Sequence, residues 1–311
     1  MTLPPQRNSD LEAALADARE HYAAARPQSA RIHRRAREVL PGGNTRSVLF
    51  YTPFPTAMAR GEGCFLEDVD DRRYVDFCGE YTAGLFGHSE PRIRAALHAA
   101  IDRGLNLASV GEREGQLATL LCARFPSLQR VRFTNSGTEA NMMALGAART
   151  FCGRPGILAF RGGYHGGLLT LVGGGSPINA PFPLTLSDYN DTEQTLETLR
   201  ANAGEIAAVI LEPMMGSGGC IPATPEFLAA LRAATREAGI LLLFDEVMTS
   251  RHSSGGLQKL RGVTPDLTTL GKYMAGGMSF GAFGGRADVM DLFDGHRPGA
   301  VSYTHLRAHE T

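Results

Sequence analysis

Short, wholly apolar segments that alternate with helical segments constrain the fold of this chain more than any other feature. Ala207–Leu211 and Ile240–Phe244 contain only apolar residues, so each is predicted to be a strand buried on both faces. Between them we predict a helix that begins at Pro225, after the N-cap Thr224, and ends before Gly239. Buried strands that alternate with helices indicate an α/β fold, a mostly parallel sheet flanked by helices.

The remaining segments extend this alternation. Residues 10–40 are predicted to form two polar, alanine-rich helices separated at Arg26-Pro27, and residues 57–77 a small β-meander. Further helices are expected over 91–102, 112–124 and 137–151, and further strands over 130–133 and 156–160. We therefore predict three parts: N-terminal helices with the meander (1–78), a large α/β domain (79–300) and a separate tail (301–311).

Composition excludes several classes of function. The chain has 31 basic and 32 acidic residues, so it carries no electrostatic footprint for nucleic acid. It contains no apolar run of the roughly 18 residues that a membrane helix needs, and its N-terminus lacks the apolar segment of a secretory signal. The five cysteines are scattered and never spaced as Cys-x-x-Cys, which favours a reducing compartment, the cytoplasm by default.

In a parallel sheet, ligands collect at the carboxyl ends of the strands, and the segment after the 130–133 strand is suited to an anion. Ser136, Gly137 and Thr138 open the following helix, where free N–H groups and hydroxyls can bind a phosphate. The alternative is purely structural, because Ser136 and Glu139 also form a capping-box pattern.

Two other strand ends carry aromatic or acidic residues. Tyr164 and His165 lie between two glycine pairs, where Tyr164 could stack on a flat ring or simply pack. Asp245 emerges from a wholly apolar strand, so its carboxylate should face a cation, such as a protonated pyridine nitrogen, or a set of donors. A helix N-cap and a metal ligand are the alternatives for Asp245. The metal is disfavoured because no second ligand has suitable spacing and Glu246 points to the opposite side of the strand.

Lys272 ends another apolar strand, after Gly271, and is one of very few lysines in the chain. Lysine is seldom buried. A lysine desolvated in an apolar pocket has a lowered pKa, which makes its neutral amine available to form a Schiff base with an aldehyde. The alternative is that the side chain extends to solvent.

Five motifs occur together and in a fixed order: NSGTEAN (135–141), GYHG (163–166), Glu212-Pro213, DEV (245–247) and TLGK (269–272). This set resembles the class III aminotransferases of pyridoxal 5′-phosphate (PLP) fold type I, especially the branch that contains glutamate-1-semialdehyde aminomutase. Residues 41–51 and 277–285 further resemble the β-amino-acid (β-phenylalanine-type) aminotransferases of that branch. The resemblance covers nearly the whole chain, from about Arg31 to about Phe293.

The resemblance implies a catalytic set of Lys272, Asp245 and Tyr164. Lys272 would bond to PLP and move a proton between substrate and cofactor, Asp245 would pair with the pyridine nitrogen, and Tyr164 would stack on the ring. The implied cofactor-binding set adds Ser136, Gly137 and Thr138 at the phosphate, Val247 on the opposite ring face, and His165 and Glu212 nearby. Arg46 corresponds to a position that can bind a substrate carboxylate, or it is a surface arginine.

The implied activity is transfer of an amino group from an amino acid, with β-amino acids among the candidate donors, to a 2-oxo acid, with no metal, in a homodimer. The alternatives are an aminomutase and a truncated, non-catalytic PLP-binding remnant. Ser217 argues against the aminomutase, because aminomutases often carry asparagine at that position. The family continues with a His-x-Gly-Thr-Phe segment and a small C-terminal domain, which we expect to be missing because residues 301–311 fit neither. A cofactor-free α/β hydrolase is set aside because the chain has no Gly-x-Ser-x-Gly.

Overall fold

The computed structural model describes residues 10–105, 107 and 109–297, without the side chain of Ser47. The chain divides into two units, residues 1–105 and 106–311. The predicted boundary after Cys78 lies inside the first unit, so the division into 1–78 and 79–300 stays a prediction. The predicted tail, 301–311, lies outside the described residues.

The first unit contains helices and one small sheet. Its helices are α1 (Leu11–Ala24), α2 (Pro27–Arg37), the short turn α3 (Gly79–Thr82) and α4 (Pro91–Ile101). Its strands are β1 (Met58–Glu62), β2 (Phe65–Asp68) and β3 (Arg73–Val75), which pair antiparallel in the order β1-β2-β3. The predicted pair of N-terminal helices and the predicted β-meander are confirmed.

The break between α1 and α2 has a local cause. Pro27 occupies the first position of α2, where a proline needs no hydrogen-bond partner for its nitrogen. The carboxylate of Asp70 accepts bonds from the backbone N–H groups of Gln28 and Ser29 and therefore caps the helix from the turn between β2 and β3.

The second unit alternates helices and strands along the chain. Its helices are α5 (Glu112–Arg124), α6 (Gly137–Cys152), α7 (Thr192–Ala201), α8 (Pro225–Glu237), α9 (Gly256–Arg261) and α10 (Ala287–Met290). Its strands are β4 (Arg130–Thr134), β5 (Gly156–Phe160), β6 (Leu184–Ser187), β7 (Ile206–Leu211), β8 (Met214–Met215), β9 (Ile221–Pro222), β10 (Leu241–Asp245), β11 (Leu267–Gly271) and β12 (Gly281–Gly285). The helices and strands predicted in this unit are confirmed to within about two residues.

Seven of these strands form one sheet, in the order β4-β12-β11-β10-β7-β5-β6. Strands β6, β5, β7, β10 and β11 pair parallel. Strand β12 runs antiparallel to both of its neighbours, so β4 has the same direction as β11. The predicted α/β fold with a mostly parallel sheet is therefore confirmed, and β8 and β9 form a separate hairpin.

Alternate residues of the central strands pack into two different cores. On one face, Ile157, Ile210 and Leu243 pack with buried residues of α6. On the other face, neighbouring residues such as Val209 and Leu242 pack with buried residues of α8. Because successive side chains of a strand point to opposite faces, coverage on both faces explains why these strands are apolar at every position.

In the second unit, strands β6, β8, β9 and β12 and helices α7, α9 and α10 were not predicted from the sequence. Strand β12 is rich in glycine, which is disfavoured in strands, and its glycines are required by close packing. A Cβ at Gly281 would lie 2.1 Å from the Ser136 carbonyl oxygen, and one at Gly284 would lie 2.2 Å from that of Arg130. Such a contact is specified by β12's neighbours in the sheet and not by its own sequence.

Within the described ranges, no helix has both the length and the apolar character needed to cross a membrane.

Candidate active site

Six strands of the large sheet run in the same direction and end at the same edge, and the predicted site residues of the second unit lie at the ends of five of them. Ser136, Gly137 and Thr138 follow β4, and Tyr164 and His165 follow β5. Glu212 follows β7, Asp245 is the last residue of β10 and Val247 comes two residues later, and Lys272 follows β11. Since the carboxyl ends of parallel strands lie side by side, the topology collects these residues at one edge.

The first turn of α6 is both capped and open to an anion. The Ser136 hydroxyl accepts a bond of 3.1 Å from the Glu139 N–H, and the Glu139 carboxylate accepts one of 2.8 Å from the Asn135 N–H. The Ser136 half of the capping box therefore forms, and the Glu139 carboxylate binds one residue before the N-cap, at Asn135. This arrangement is compatible with anion binding, because other N–H groups of the first turn have no partner within the helix.

Close packing sets the position of this helix end. A Cβ at Gly137 would lie 2.8 Å from a Val247 methyl carbon, and one at Gly271 would lie 3.4 Å from the Gly137 backbone. A Cβ at Gly166 would lie 2.1 Å from the Thr138 hydroxyl oxygen. Glycine at these positions therefore lets the ends of β4, β5, β10 and β11 approach one another.

Asp245 is 3% exposed and is surrounded by hydrogen-bond donors. Its Oδ2 accepts bonds of 2.8 Å from Asn141 Nδ2 and of 2.8 Å from His165 Nδ1, and its Oδ1 accepts one of 3.0 Å from the Val247 N–H. These donors offset the desolvation of the carboxylate. They also fix the direction in which its remaining lone pairs can accept a further donor or face a cation.

The charge of Asp245 dominates its surroundings. Burial lowers the pKa of His165, but the hydrogen bond and charge of Asp245, together with the charge of Glu212, outweigh burial and raise that pKa above its usual range. Burial and the charge of Asp245 raise the pKa of Glu212, although His165 and two backbone N–H groups oppose them. The surroundings of Asp245 therefore favour a cationic partner, such as a protonated ring nitrogen.

Glu212 joins two loops through its carboxylate. Its Oε2 accepts a bond of 3.0 Å from the Tyr164 N–H and its Oε1 one of 3.1 Å from the Gly216 N–H. The first bond holds the backbone of Tyr164, whose side chain is 40% exposed, enough to offer a ring face to a ligand. The second bond holds the hairpin of β8 and β9, which carries the exposed Ser217.

Lys272 begins a 3₁₀ turn, Lys272–Ala275, directly after β11 and is partly buried. Its φ is +52°, a left-handed conformation that costs a lysine roughly 1 kcal/mol. Burial lowers the pKa of its amine, Asp245 and Glu212 oppose that effect, and Arg251 adds to it, so that the net direction is downward. A lowered pKa increases the neutral, nucleophilic fraction of the amine.

Glu246 points away from this group, as predicted. It is fully buried and accepts bonds from the Thr249 hydroxyl, from the N–H groups of Leu257 and Gln258, and from the Gln258 side chain. Glu246 therefore anchors the start of α9 behind the sheet edge. Within the described part of the chain, no group of three or more His, Cys, Asp or Glu residues is arranged to hold a metal ion.

The structure thus places nine predicted site residues at one edge of the sheet. Arg46 lies in the first unit, where it is exposed and its carbonyl accepts a bond from the Leu49 N–H. Its role stays a prediction. No role was predicted for Asn141 or Thr269, although they lie in the NSGTEAN and TLGK motifs. Thr269 donates a bond of 2.7 Å to the Asn141 side-chain oxygen; a buried polar residue one turn into α6 was the available signal.

Comparisons with known proteins identify the family of this chain. The family model described as "Aminotransferase class-III" matches residues 50–301. The β-phenylalanine transaminase of Variovorax paradoxus is 53% identical over 284 residues, a match that covers 91% of this chain and 65% of that protein. A crystal structure of a β-phenylalanine aminotransferase from the same organism has a TM-score of 0.90 at 52% identity and is matched over 94% of this chain and 68% of that one.

A further relative carries a different reaction in its name. The glutamate-1-semialdehyde 2,1-aminomutase of Pelodictyon phaeoclathratiforme is 40% identical over 298 residues, a match that covers 88% of this chain and 69% of that protein. A solved structure described as a transaminase with PLP bound has a TM-score of 0.84 at 34% identity, covering 89% of this chain and 68% of the other. The chain therefore spans about two thirds of the length of the relatives that it matches.

Proposed function

We propose that this chain, which belongs to the class III aminotransferase family, binds PLP and contributes the cofactor-binding part of a transaminase. The observation that supports this proposal most directly is the convergence of a buried carboxylate (Asp245), a partly desolvated amine (Lys272) and the N-terminus of α6 at one edge of a parallel sheet. The solved transaminase with PLP bound is a neighbour in structure.

The donors and charges of the site match the chemical groups of PLP. The first turn of α6, with Ser136 and Thr138, would hold the phosphate. Asp245, oriented by Asn141 and His165, would face the protonated pyridine nitrogen. Tyr164 and Val247 would contact the two faces of the ring.

When bound, PLP supplies an aldehyde that combines with amines and a ring that withdraws electrons from the substrate carbon. The neutral amine of Lys272 would hold the cofactor at its aldehyde, and as a free amine it would accept the Cα or Cβ proton of the substrate as a general base. Asp245 would keep the ring nitrogen protonated, and Glu212 would keep Tyr164 in place through the backbone bond.

Lys272 can be tested with unusual clarity, because Lys259 is the only other lysine in the sequence. The chain is mixed with PLP, its absorbance is recorded before and after borohydride reduction, and the modified peptide is identified by mass spectrometry. We expect most of the reduced adduct on the peptide that carries Lys272 in the wild type, an adduct of similar yield in Lys259→Ala, and a large loss of yield in Lys272→Ala. If the wild-type adduct lies mainly on the exposed Lys259, or is lost in Lys259→Ala, the role of Lys272 is wrong.

We propose a β-amino acid as the amino donor because the 53% identical relative is a β-phenylalanine transaminase, and we keep Arg46 as the proposed ligand of the substrate carboxylate. The aminomutase relative is less similar, at 40% identity. Incubation with an amino acid, with and without 2-oxoglutarate, separates the two reactions. A transaminase requires the acceptor, whereas an aminomutase forms an isomer without it.

We also propose that the chain forms a homodimer and acts in the cytoplasm. The reducing compartment is supported by the five cysteines, none of which forms a disulfide. Light scattering during gel filtration measures the mass of the particle, and a mass of one chain would contradict the dimer.

A further inference from the structure

Lys272 has a backbone conformation that depends on its surroundings. Its φ of +52° lies in the left-handed region, which residues with a Cβ seldom adopt. Such a conformation persists where neighbouring contacts hold it, and it is concentrated at functional sites. The next residue, Tyr273, makes contacts of this kind.

The side chain of Tyr273 is held by two arginines. It is 5% exposed, and its hydroxyl accepts a bond of 2.7 Å from an Nη of Arg124. The guanidinium carbon of Arg251 lies 4.9 Å from the ring centroid, and that of Arg124 lies 5.9 Å from it. Both distances are within the range of attraction between a cation and an aromatic face.

Arg124, the last residue of α5, is itself fixed. Its Nε donates a bond of 2.8 Å to the Ser254 carbonyl oxygen, and an Nη donates one of 2.8 Å to that of Ser250. The segment that accepts these bonds also contains Arg251. Tyr273 is therefore tied at once to the end of α5 and to the segment that follows β10. We name the set of Arg124, Arg251 and Tyr273 the tyrosine clamp.

Arg251, a member of the tyrosine clamp, also acts electrostatically on the amine of Lys272. The charged groups that act on this amine are Asp245, at the end of β10, Glu212, after β7, and Arg251. The two carboxylates favour the protonated amine, and the guanidinium opposes them.

We propose that Tyr273 is a positioning residue for Lys272: the tyrosine clamp holds the left-handed turn at Lys272 and fixes the Arg251 guanidinium against the Tyr273 ring, from where its charge acts on the amine. A residue that only fills space would need an apolar ring and no more. The bond from Arg124 to the Tyr273 hydroxyl is a specific contact that packing alone does not require. The inference rests on the proposed function only in taking Lys272 as the reacting amine.

The test measures the reactivity of the Lys272 amine in the full chain. The chain, freed of cofactor, is labelled with limiting acetic anhydride over a range of pH, and the peptides that carry Lys272 and Lys259 are quantified by mass spectrometry. Lys259 is exposed and serves as the internal reference. The variants are Tyr273→Phe, which keeps the ring and loses the hydroxyl, and Arg251→Met, which loses the charge.

Two matched controls make the same chemical changes elsewhere. Tyr74→Phe removes a hydroxyl that accepts a bond of 3.1 Å from Arg26 in the first unit. Arg149→Met removes a guanidinium that lies 5.3 Å from the Phe182 ring centroid. Circular dichroism verifies that each variant is folded.

In Arg251→Met we expect Lys272 to be labelled about threefold more slowly than in the wild type at neutral pH, or slower still, because removal of a nearby cation favours the protonated amine. Tyr273→Phe should shift the titration of Lys272 in the same direction by less, and neither control should shift it. If Lys272 titrates as in the wild type in folded Tyr273→Phe, the positioning role is wrong, and this holds even where Arg251→Met does not fold. Labelling needs no cofactor, so a failure of PLP binding would be recognised separately.

Discussion

At the scale of single residues, Asn141 is the polar residue that holds the acidic centre of the site together. Its Nδ2 donates to Asp245 and to the His165 carbonyl oxygen, and its Oδ1 accepts from Thr269. We expect Asn141→Leu to lower the free energy of unfolding by roughly 2–4 kcal/mol, because three buried polar groups each lose a partner. Thr269→Val, which removes one donor, should cost about 1 kcal/mol. Urea unfolding followed by circular dichroism measures both, and equal losses would contradict this account.

The buried amine of Lys272 should lower the free energy of unfolding of the chain. Its pKa in the folded state lies below the ordinary lysine value of 10.5. At a pH between these two pKa values, the chain therefore takes up a proton when it unfolds. The penalty is complete below the folded pKa and disappears as the pH rises towards the ordinary value. We expect Lys272→Met to raise the free energy of unfolding by about 1 kcal/mol at neutral pH, and by less in alkaline solution. Lys259→Met is the control, and a gain independent of pH would argue against desolvation as the cause.

At the scale of elements, the loop that follows β5 (the β5 loop, residues 161–167) can approach the start of α6 because residue 166 is glycine. Gly166 has a φ of +106°, and a Cβ there would lie 2.1 Å from the Thr138 hydroxyl oxygen. The adjacent Gly167 lies outside the left-handed region, and a Cβ there would meet nothing within 4 Å. We expect Gly166→Ala to lower the free energy of unfolding by about 2–4 kcal/mol and to weaken PLP binding. Gly167→Ala should change stability by less than about 0.5 kcal/mol.

Thermal unfolding and a titration with PLP measure the two effects of Gly166→Ala. The β5 loop carries Tyr164 and His165 as well as Gly166, so displacement of this loop from α6 should impair the ring contact and the phosphate contact together. Similar behaviour of Gly166→Ala and Gly167→Ala would show that the loop is not constrained by α6.

At the scale of the whole molecule, cofactor binding should act on the second unit. A ligand present at a hundredfold excess over its Kd stabilises the state that binds it by about 2.7 kcal/mol. We expect PLP to slow amide hydrogen exchange in the segments that follow β4, β5, β7, β10 and β11, measured by mass spectrometry. Pyridoxal, which lacks the phosphate, should protect the first turn of α6 less. Protection confined to residues 10–105 would contradict the proposed site.

Much of the second unit could be predicted from the sequence, for a local reason. Wholly apolar runs such as 207–211 and 240–244 can be stabilised only inside a covered sheet, and polar residues at their ends can face only the edge where those strands stop. Asp245, Lys272 and the start of α6 were therefore found from position in the chain. Strand β12 was missed because its glycines are required by close contact with the backbone of Ser136 and Arg130, which lie far from β12 in the sequence.

Most strands and helices of the second unit, and the chemical groups at the strand ends, could be read from the sequence because they depend on residues close together in the chain. How those groups are paired could be seen only in the folded molecule. Asn141 and Asp245 are 104 residues apart, and Arg124 and Tyr273 are 149 residues apart. Such contacts follow from strand order and register, which arise when two cores pack on opposite faces of the sheet at once, and no local pattern of residues encodes them.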